Sequence, residues 1–258
     1  MPAPDLRPRS PSEIVDAAFQ ILRAHYAAFI TCSAIAYAPL LLFRLFAVGD
    51  PSRFLDPESA TRQPDLWRLA GGSFLITWLT FSLMSAVIQA CAAQVYLGGD
   101  IDVGAAVRQA LPRAPQVLGA AVIRFVLMVV AFVALIFPVL YVVARYFAVT
   151  PIIVLEGRGV SDALRRSADL SAGRKWHILN TLGLVAIIYY VLVFGFSVVA
   201  SLAGFVASTV VAAVVTVLVY PVVAITEALL YYDARIQSEG LDIELMLNAL
   251  DSPPARAA

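Results

Sequence analysis

An all-α integral membrane protein with six transmembrane helices is the fold this sequence predicts, and three observations predict it. Hydrophobic residues make up 61% of the 258 and charged residues 14%, with a mean hydropathy of +0.84. Soluble domains hold roughly 45–50% apolar and about 25% charged residues. Apolar runs of membrane length recur along the whole chain, each near the ~20 residues needed to cross a hydrocarbon core of about 30 Å. The basic residues collect in alternate connections, which gives the runs an orientation. No hydrophilic stretch is long enough for a second fold, so residues 1–258 read as one polytopic membrane domain. The formal net charge is zero, which nominates no nucleic-acid partner.

The opening residues Met1 to Arg9 contain Pro and Arg with no apolar h-region behind them, so no cleaved signal peptide is expected. Ser10-Pro11-Ser12-Glu13 is a capping box with Pro at the first helical position. It starts an amphipathic helix over about 11–24 that is expected to lie along the membrane surface. The first crossing follows over about 26–48, interrupted only by Pro39 and Arg44. A loop over 49–68 with four acids and three arginines leads to a second crossing over about 73–97. In it Ser82, Ala86 and Ala90 recur at four-residue spacing, a pattern that lets membrane helices approach closely.

A second surface helix is predicted over about 102–111. The apolar run after it, 116–155, would measure about 60 Å as one helix, twice the hydrocarbon thickness, so it must fold back. Pro cannot continue the hydrogen-bond ladder, and Phe137-Pro138 marks the break between crossings over about 116–136 and 138–155. The stretch Pro151–Trp176 then holds Glu156, a Gly-rich turn at Gly157 and Gly159, a third amphipathic helix over about 160–171 with Ser161 as its cap, and a basic collar of Arg174 and Lys175. Crossings over about 176–198 and 206–231 complete the six, and a polar tail follows.

Val15-Asp16-Ala17-Ala18-Phe19, Val103-Gly104-Ala105-Ala106-Val107 and Val160-Ser161-Asp162-Ala163-Leu164 share Val, then Ala three residues later, then an apolar residue. Each opens a surface helix followed by two crossings, so the sequence reads as three repeated units. Arg23, Arg108, Arg113, Arg158, Arg165, Arg166, Arg174, Lys175 and Arg235 fall on the side of the surface helices. By the positive-inside rule that side, with both termini, is cytoplasmic.

Pro151, Glu156, Ala163-Leu164-Arg165-Arg166-Ser167, Leu170, Gly173 and Trp176, with Tyr231-Tyr232-Asp233-Ala234-Arg235 and Glu239-Gly240-Leu241-Asp242, form a further pattern. It resembles the signature of the glycerophosphoryl diester phosphodiesterase membrane-domain family and its relatives of unknown function, and the opening LRPRSPSEIVDAAFQILRAHY is similar to that family's start. In the family this membrane unit precedes a soluble catalytic barrel, for which the present sequence has no segment. With only His25 and His177 and no hydrolytic constellation, phosphodiester hydrolysis is not expected. The resemblance implies a six-helix protein of the bacterial inner membrane whose biochemical role is undefined.

No catalytic residues, metal ligands or cofactor fingerprint emerge from the spacing of residues. Cys32 and Cys91 lie inside apolar runs, where Cys behaves as a small hydrophobe. Intramembrane charge costs several kcal/mol unless paired or hydrated, which singles out Arg124 and Arg145, expected at matched depth on consecutive crossings. With Gln89, Gln94, Asn180, Thr226 and Glu227 they suggest a polar vestibule on the cytoplasmic side; the plainer reading pairs the arginines with Glu227 or Glu156. Arg165, Arg166, Arg174 and Lys175 are candidates for anionic phospholipid, or simple anchors, each worth about 1 kcal/mol near an anionic leaflet. Two functions follow from these features. The leading one is a non-enzymatic scaffold or accessory subunit with a membrane-protein partner, and the alternative is a protein that handles lipid or a small solute.

Overall fold

The computed structural model describes residues 9–45, 65–133 and 136–239, with side chains at 65–71 and 136–137 left aside. Every described element is helical. In chain order they are α1 (Pro11–Ala24), α2 (Tyr26–Phe43), α3 (Asp65–Tyr96), α4 (Val103–Ala110), α5 (Ala114–Val133), α6 (Ile136–Arg145), a short segment Val149–Pro151 running on as a π turn through Ile152–Glu156, α7 (Val160–Leu170), α8 (Lys175–Ser201) and α9 (Phe205–Glu239). Among the described residues, six stretches are long and apolar enough to cross a membrane: Tyr26–Phe43, Gly72–Tyr96, Val103–Val133, Pro138–Glu156, Lys175–Ser201 and Phe205–Glu239. The chain is a multi-pass helical membrane protein.

The capping box forms as the sequence predicts. The Glu13 backbone N–H donates to Ser10 Oγ at 3.3 Å, and the Ser10 N–H donates to Glu13 Oε2 at 2.7 Å. The face of α1 carrying Ile14, Val15, Ala18 and Leu22 is buried, and it packs against α8 and α9. Around the bundle α2 adjoins α3, α3 adjoins α5, α5 adjoins α6, α6 adjoins α8, α8 adjoins α9, and α9 returns to α2. Contact between α3 and α9 bridges this ring across its middle. Ala86 and Ala90 are almost wholly buried, as their small size at four-residue spacing requires.

Several boundaries differ from the sequence reading. The second crossing starts earlier, because the helix already runs from Asp65; the rest of the expected loop, from 46 to 64, lies outside the described residues. The expected parting of the third and fourth crossings near Phe137-Pro138 agrees with the helix ends, α5 closing at Val133 and α6 opening at Ile136. Residues 134–135 are outside the described set and α6 begins at Ile136, so Pro138 sits in a first helical turn, where its missing N–H costs nothing. Ser161 does not cap α7: the N-cap is Gly159, with extended φ/ψ of −66° and 163° and no side-chain cap bond. The second surface helix is joined to its crossing by a single 3₁₀ turn, Leu111–Arg113, so it enters the membrane as a bend rather than after a loop.

The largest departure is in the fourth crossing, which is broken. Between Arg145 and Val149 the helix stops, and Ser167 of α7 fills the gap: its hydroxyl donates to the Arg145 carbonyl at 3.0 Å and accepts the Ala148 N–H at 3.1 Å. Backbone groups freed inside a membrane need such partners. The segment after the break is deeply buried, and its Val154 carbonyl accepts from Gln109 Nε2 at 3.1 Å and from Arg113 Nη1. Gly157 then reverses the chain at φ 72°, where a Cβ would come within 2.8 Å of the Arg113 guanidinium. Glycine is the residue that this turn admits.

Candidate functional site

Two polar assemblies occupy the bundle, one at each end of its length. The first lies on the side of the surface helices and is a closed network. Glu156 accepts from Arg158 Nε at 2.6 Å, from Arg166 Nε at 2.8 Å and from the buried Tyr231 hydroxyl at 2.8 Å. Arg166 also donates through Nη2 to Glu239 at 2.9 Å, and Glu239 in turn accepts from Arg235 Nε at 3.0 Å. Arg235 Nη1 donates to the Tyr231 hydroxyl at 3.3 Å, which closes the ring. Burial works against the charge on Arg166, but its bonds to Glu239 and Glu156 outweigh that and hold it above the ordinary arginine value. Six residues singled out in the sequence, Glu156, Arg158, Arg166, Tyr231, Arg235 and Glu239, thus meet in one place, joining the π turn and α7 to the end of α9.

This network is structural in its chemistry. Each carboxylate is held by two arginines, and only Arg158, bonded through Nε and 46% exposed, keeps donors toward solvent. Arg166 is therefore not available to a lipid phosphate. Arg174 is engaged as well, donating through Nη1 to the Ala234 carbonyl at 3.1 Å. Arg165 is exposed on α7. Asp233 and Arg235 do not pair with one another: Asp233 accepts from the Arg9 N–H at 3.2 Å and from Gln237 Nε2 at 2.8 Å.

The second assembly is a cavity of about 470 Å³ between α2, α3, α5, α8 and α9. Its charged lining residues are Arg44, Arg124 and Glu227, and its walls include Trp78, Phe81, Tyr189, Tyr190 and Tyr220. Glu227 and Ser85 lie twelve and eleven residues from the surface-helix ends of α9 and α3, hence about 16–18 Å into the bundle at 1.5 Å per residue. From that floor the cavity extends away from the surface helices, along Ser82, Trp78, Thr77 and Phe74 of α3 and Tyr220, Thr216 and Ala212 of α9. This cavity thus lies toward the end away from the surface helices, whereas the sequence suggested a vestibule on their side. The closed ion-pair network and the buried 149–156 segment lie on the surface-helix side.

Several polar groups of the cavity are fixed by bonds between neighbouring helices. The Glu227 Oε2 accepts from Gln89 Nε2 at 2.7 Å and from Ser85 Oγ at 3.1 Å, both on α3. Gln89, flagged from the sequence, is fully buried by this role. Thr77 donates to the Ser73 carbonyl at 2.7 Å, which leaves its oxygen free to accept from Arg44 Nη2 at 3.3 Å. The Tyr220 hydroxyl donates to the Phe81 carbonyl at 3.2 Å and Trp78 Nε1 to the Ala121 carbonyl at 3.0 Å, so the aromatic walls are pinned. Arg124 differs from all of these. It lines the cavity, close enough to Glu227 for their charges to interact, yet forms no hydrogen bond or ion pair among the described residues.

Arg145 does not share this space. The helix break after it brings its carbonyl to Ser167 on α7, and its guanidinium donates through Nη1 to the Tyr141 hydroxyl at 3.0 Å. Counting residues along an unbroken helix placed it at the depth of Arg124; the break removes that match. Neither arginine is paired with Glu156, whose acceptors are filled. Asn180 is exposed on α8, away from the cavity, and Gln94 binds the backbone of Asp102 in the turn after α3. Arg44, Tyr189, Thr216 and Tyr220 were not among the predicted site residues. Arg44 carried a usable signal, because a charge interrupting an apolar run is a functional candidate by default. The cysteines are free and buried, and no group of three His, Cys, Asp or Glu side chains capable of holding a metal occurs among the described residues. No protein-family model matches this chain, and comparison with curated proteins and with solved structures finds no match either, so the comparisons assign it to no family.

Proposed function

We propose that this protein binds a small amphipathic anion within the membrane, receiving its charged group at Arg124. The observation that carries this reading is the Arg124 guanidinium, which lines the cavity and makes no hydrogen bond among the described residues, while the neighbouring Glu227 carboxylate is held by Gln89 and Ser85. At about 470 Å³ the cavity falls within the roughly 300–1,000 Å³ range of small-molecule sites. Its aromatic walls suit an apolar tail, and Arg presents planar donors matched to a carboxylate or phosphate. A scaffold has no need of a charged cavity, so this feature favours the alternative function over the accessory subunit that ranked first on sequence. Native mass spectrometry of the protein purified in mild detergent tests the choice. A stoichiometric bound anionic amphiphile is the expected result; an empty cavity with a stoichiometric protein partner would support the scaffold.

We also infer a bacterial inner-membrane location with the surface-helix side in the cytoplasm. The support is the arginine set Arg23, Arg108, Arg113, Arg158, Arg165 and Arg174 on that side. In this orientation the cavity lies toward the outer leaflet. The recurring order of surface helix and two crossings supports the reading of three repeated units. Ser161 is exposed on α7 and both native cysteines are buried, so a Ser161→Cys variant reports sidedness cleanly. Labelling by an impermeant maleimide is expected only after the membrane is opened; labelling of intact cells would reverse the orientation.

A further inference from the structure

Apart from the cavity, Lys175 and Arg145 form a cluster of charge with no carboxylate partner among the described residues. Lys175 begins α8 and its Nζ stands 4.3 Å from the centre of the Tyr141 ring of α6. Arg145 faces the same ring, its Cζ 5.8 Å from the centre, and lies 5.9 Å from that of Tyr146. Two cations therefore converge on one tyrosine, and neither forms an ion pair with a carboxylate among the described residues. Like charges held this close repel unless an anion lies between them. The basic residues of the neighbouring network show the contrast, since Arg158, Arg166 and Arg235 each have a carboxylate.

The position of the cluster names the anion. Arg145 lies at the level of α7 because Ser167 caps its carbonyl, and Lys175 is the first residue of a crossing, so the cluster sits at a membrane surface. Tyr141 is 46% exposed and the adjacent Trp176 is 76% exposed, which opens the cluster sideways. Tyr and Trp at this level are interfacial anchors with one end among head groups. The Tyr141 oxygen accepts from Arg145, which leaves its own proton to donate. We infer that Arg145, Lys175 and Tyr141 form a head-group site for one anionic phospholipid, holding its phosphate between α6 and α8. None of these residues lines the cavity, so the site does not rest on the function proposed above.

The test is native mass spectrometry of the full chain titrated with dioleoyl phosphatidylglycerol, with phosphatidylcholine in parallel, in an Arg124→Gln background that removes the arginine to which anion binding in the cavity is assigned. The double variant Arg145→Gln/Lys175→Gln is expected to weaken phosphatidylglycerol binding at least tenfold and to leave phosphatidylcholine unchanged. Tyr141→Phe deletes one hydroxyl at an exposed position, keeps the fold, and is expected to weaken binding severalfold. Arg165→Gln, an exposed arginine on α7, is expected to stay within twofold. Unchanged binding in the double variant, or an equal loss in Arg165→Gln, would overturn the site in favour of diffuse anchoring. Displacement of the lipid by millimolar inorganic phosphate would overturn a lipid head group in favour of a free anion.

Discussion

Glu156→Ala is expected to destabilise the detergent-solubilised protein by about 3 kcal/mol, the range found when one partner is removed from a buried ion pair. Glu156 is only 13% exposed and accepts from Arg158, Arg166 and Tyr231 together. Its loss leaves the fully buried Tyr231 hydroxyl without an acceptor and Arg166 with Glu239 alone. The Arg158 bond contributes little of this, because its side chain is 46% exposed and solvent screens it. Tyr231→Phe is expected to cost about 1–2 kcal/mol, the cost of one buried hydrogen bond. The double variant should fall well short of the sum, since both changes break one network. Equilibrium unfolding in a single detergent measures all three. A Glu156→Ala effect below about 0.5 kcal/mol, the level of an ordinary surface substitution, would mean that the ring does not join α7 to α9 in solution.

The bundle was legible because its signals are local. Apolar length sets the crossings, Ser10 and Glu13 start α1, and the arginine distribution separates the two sides. The residues of the network were legible by type, since Glu156, Arg166, Tyr231 and Arg235 stand out in a membrane sequence. Their pairing was not, because Glu156 and Tyr231 lie 75 positions apart and their meeting depends on tertiary packing. Arg145 was misplaced for a different reason. Depth was counted along a continuous helix, whereas a cap from Ser167, 22 residues downstream, holds the chain broken after it.

The cavity stayed hidden because Ser, Thr and Tyr line it. Thr77 and Ser82 bond the carbonyls of their own helix at 2.7 and 2.8 Å, so they pass as ordinary membrane residues. Only where Tyr189, Thr216 and Tyr220 face Arg44, Arg124 and Glu227 do they make a polar space, and that depends on how α2, α3, α8 and α9 are arranged around it.

Arg124→Gln is expected to reduce binding of an amphipathic anion at least tenfold, because the guanidinium lines the cavity with all its hydrogen-bond donors unused among the described residues. Its replacement breaks no hydrogen bond among the described residues but removes a charge interaction with the buried Glu227, so a modest loss of stability, about 1 kcal/mol, is expected. Arg124→Lys keeps the charge but loses the planar pair of donors, and an intermediate affinity is expected. Ser85→Ala serves as a control for disturbance of the floor, since it removes one of the two donors to Glu227 and leaves Arg124 in place. The most direct measurement is a titration of the full chain with decyl phosphate, comparing wild type with Arg124→Gln and with Arg145→Gln/Lys175→Gln. The account predicts saturable binding at one site that Arg124→Gln abolishes and the double variant preserves. Equal affinity in wild type and Arg124→Gln, or a loss confined to the double variant, would contradict it.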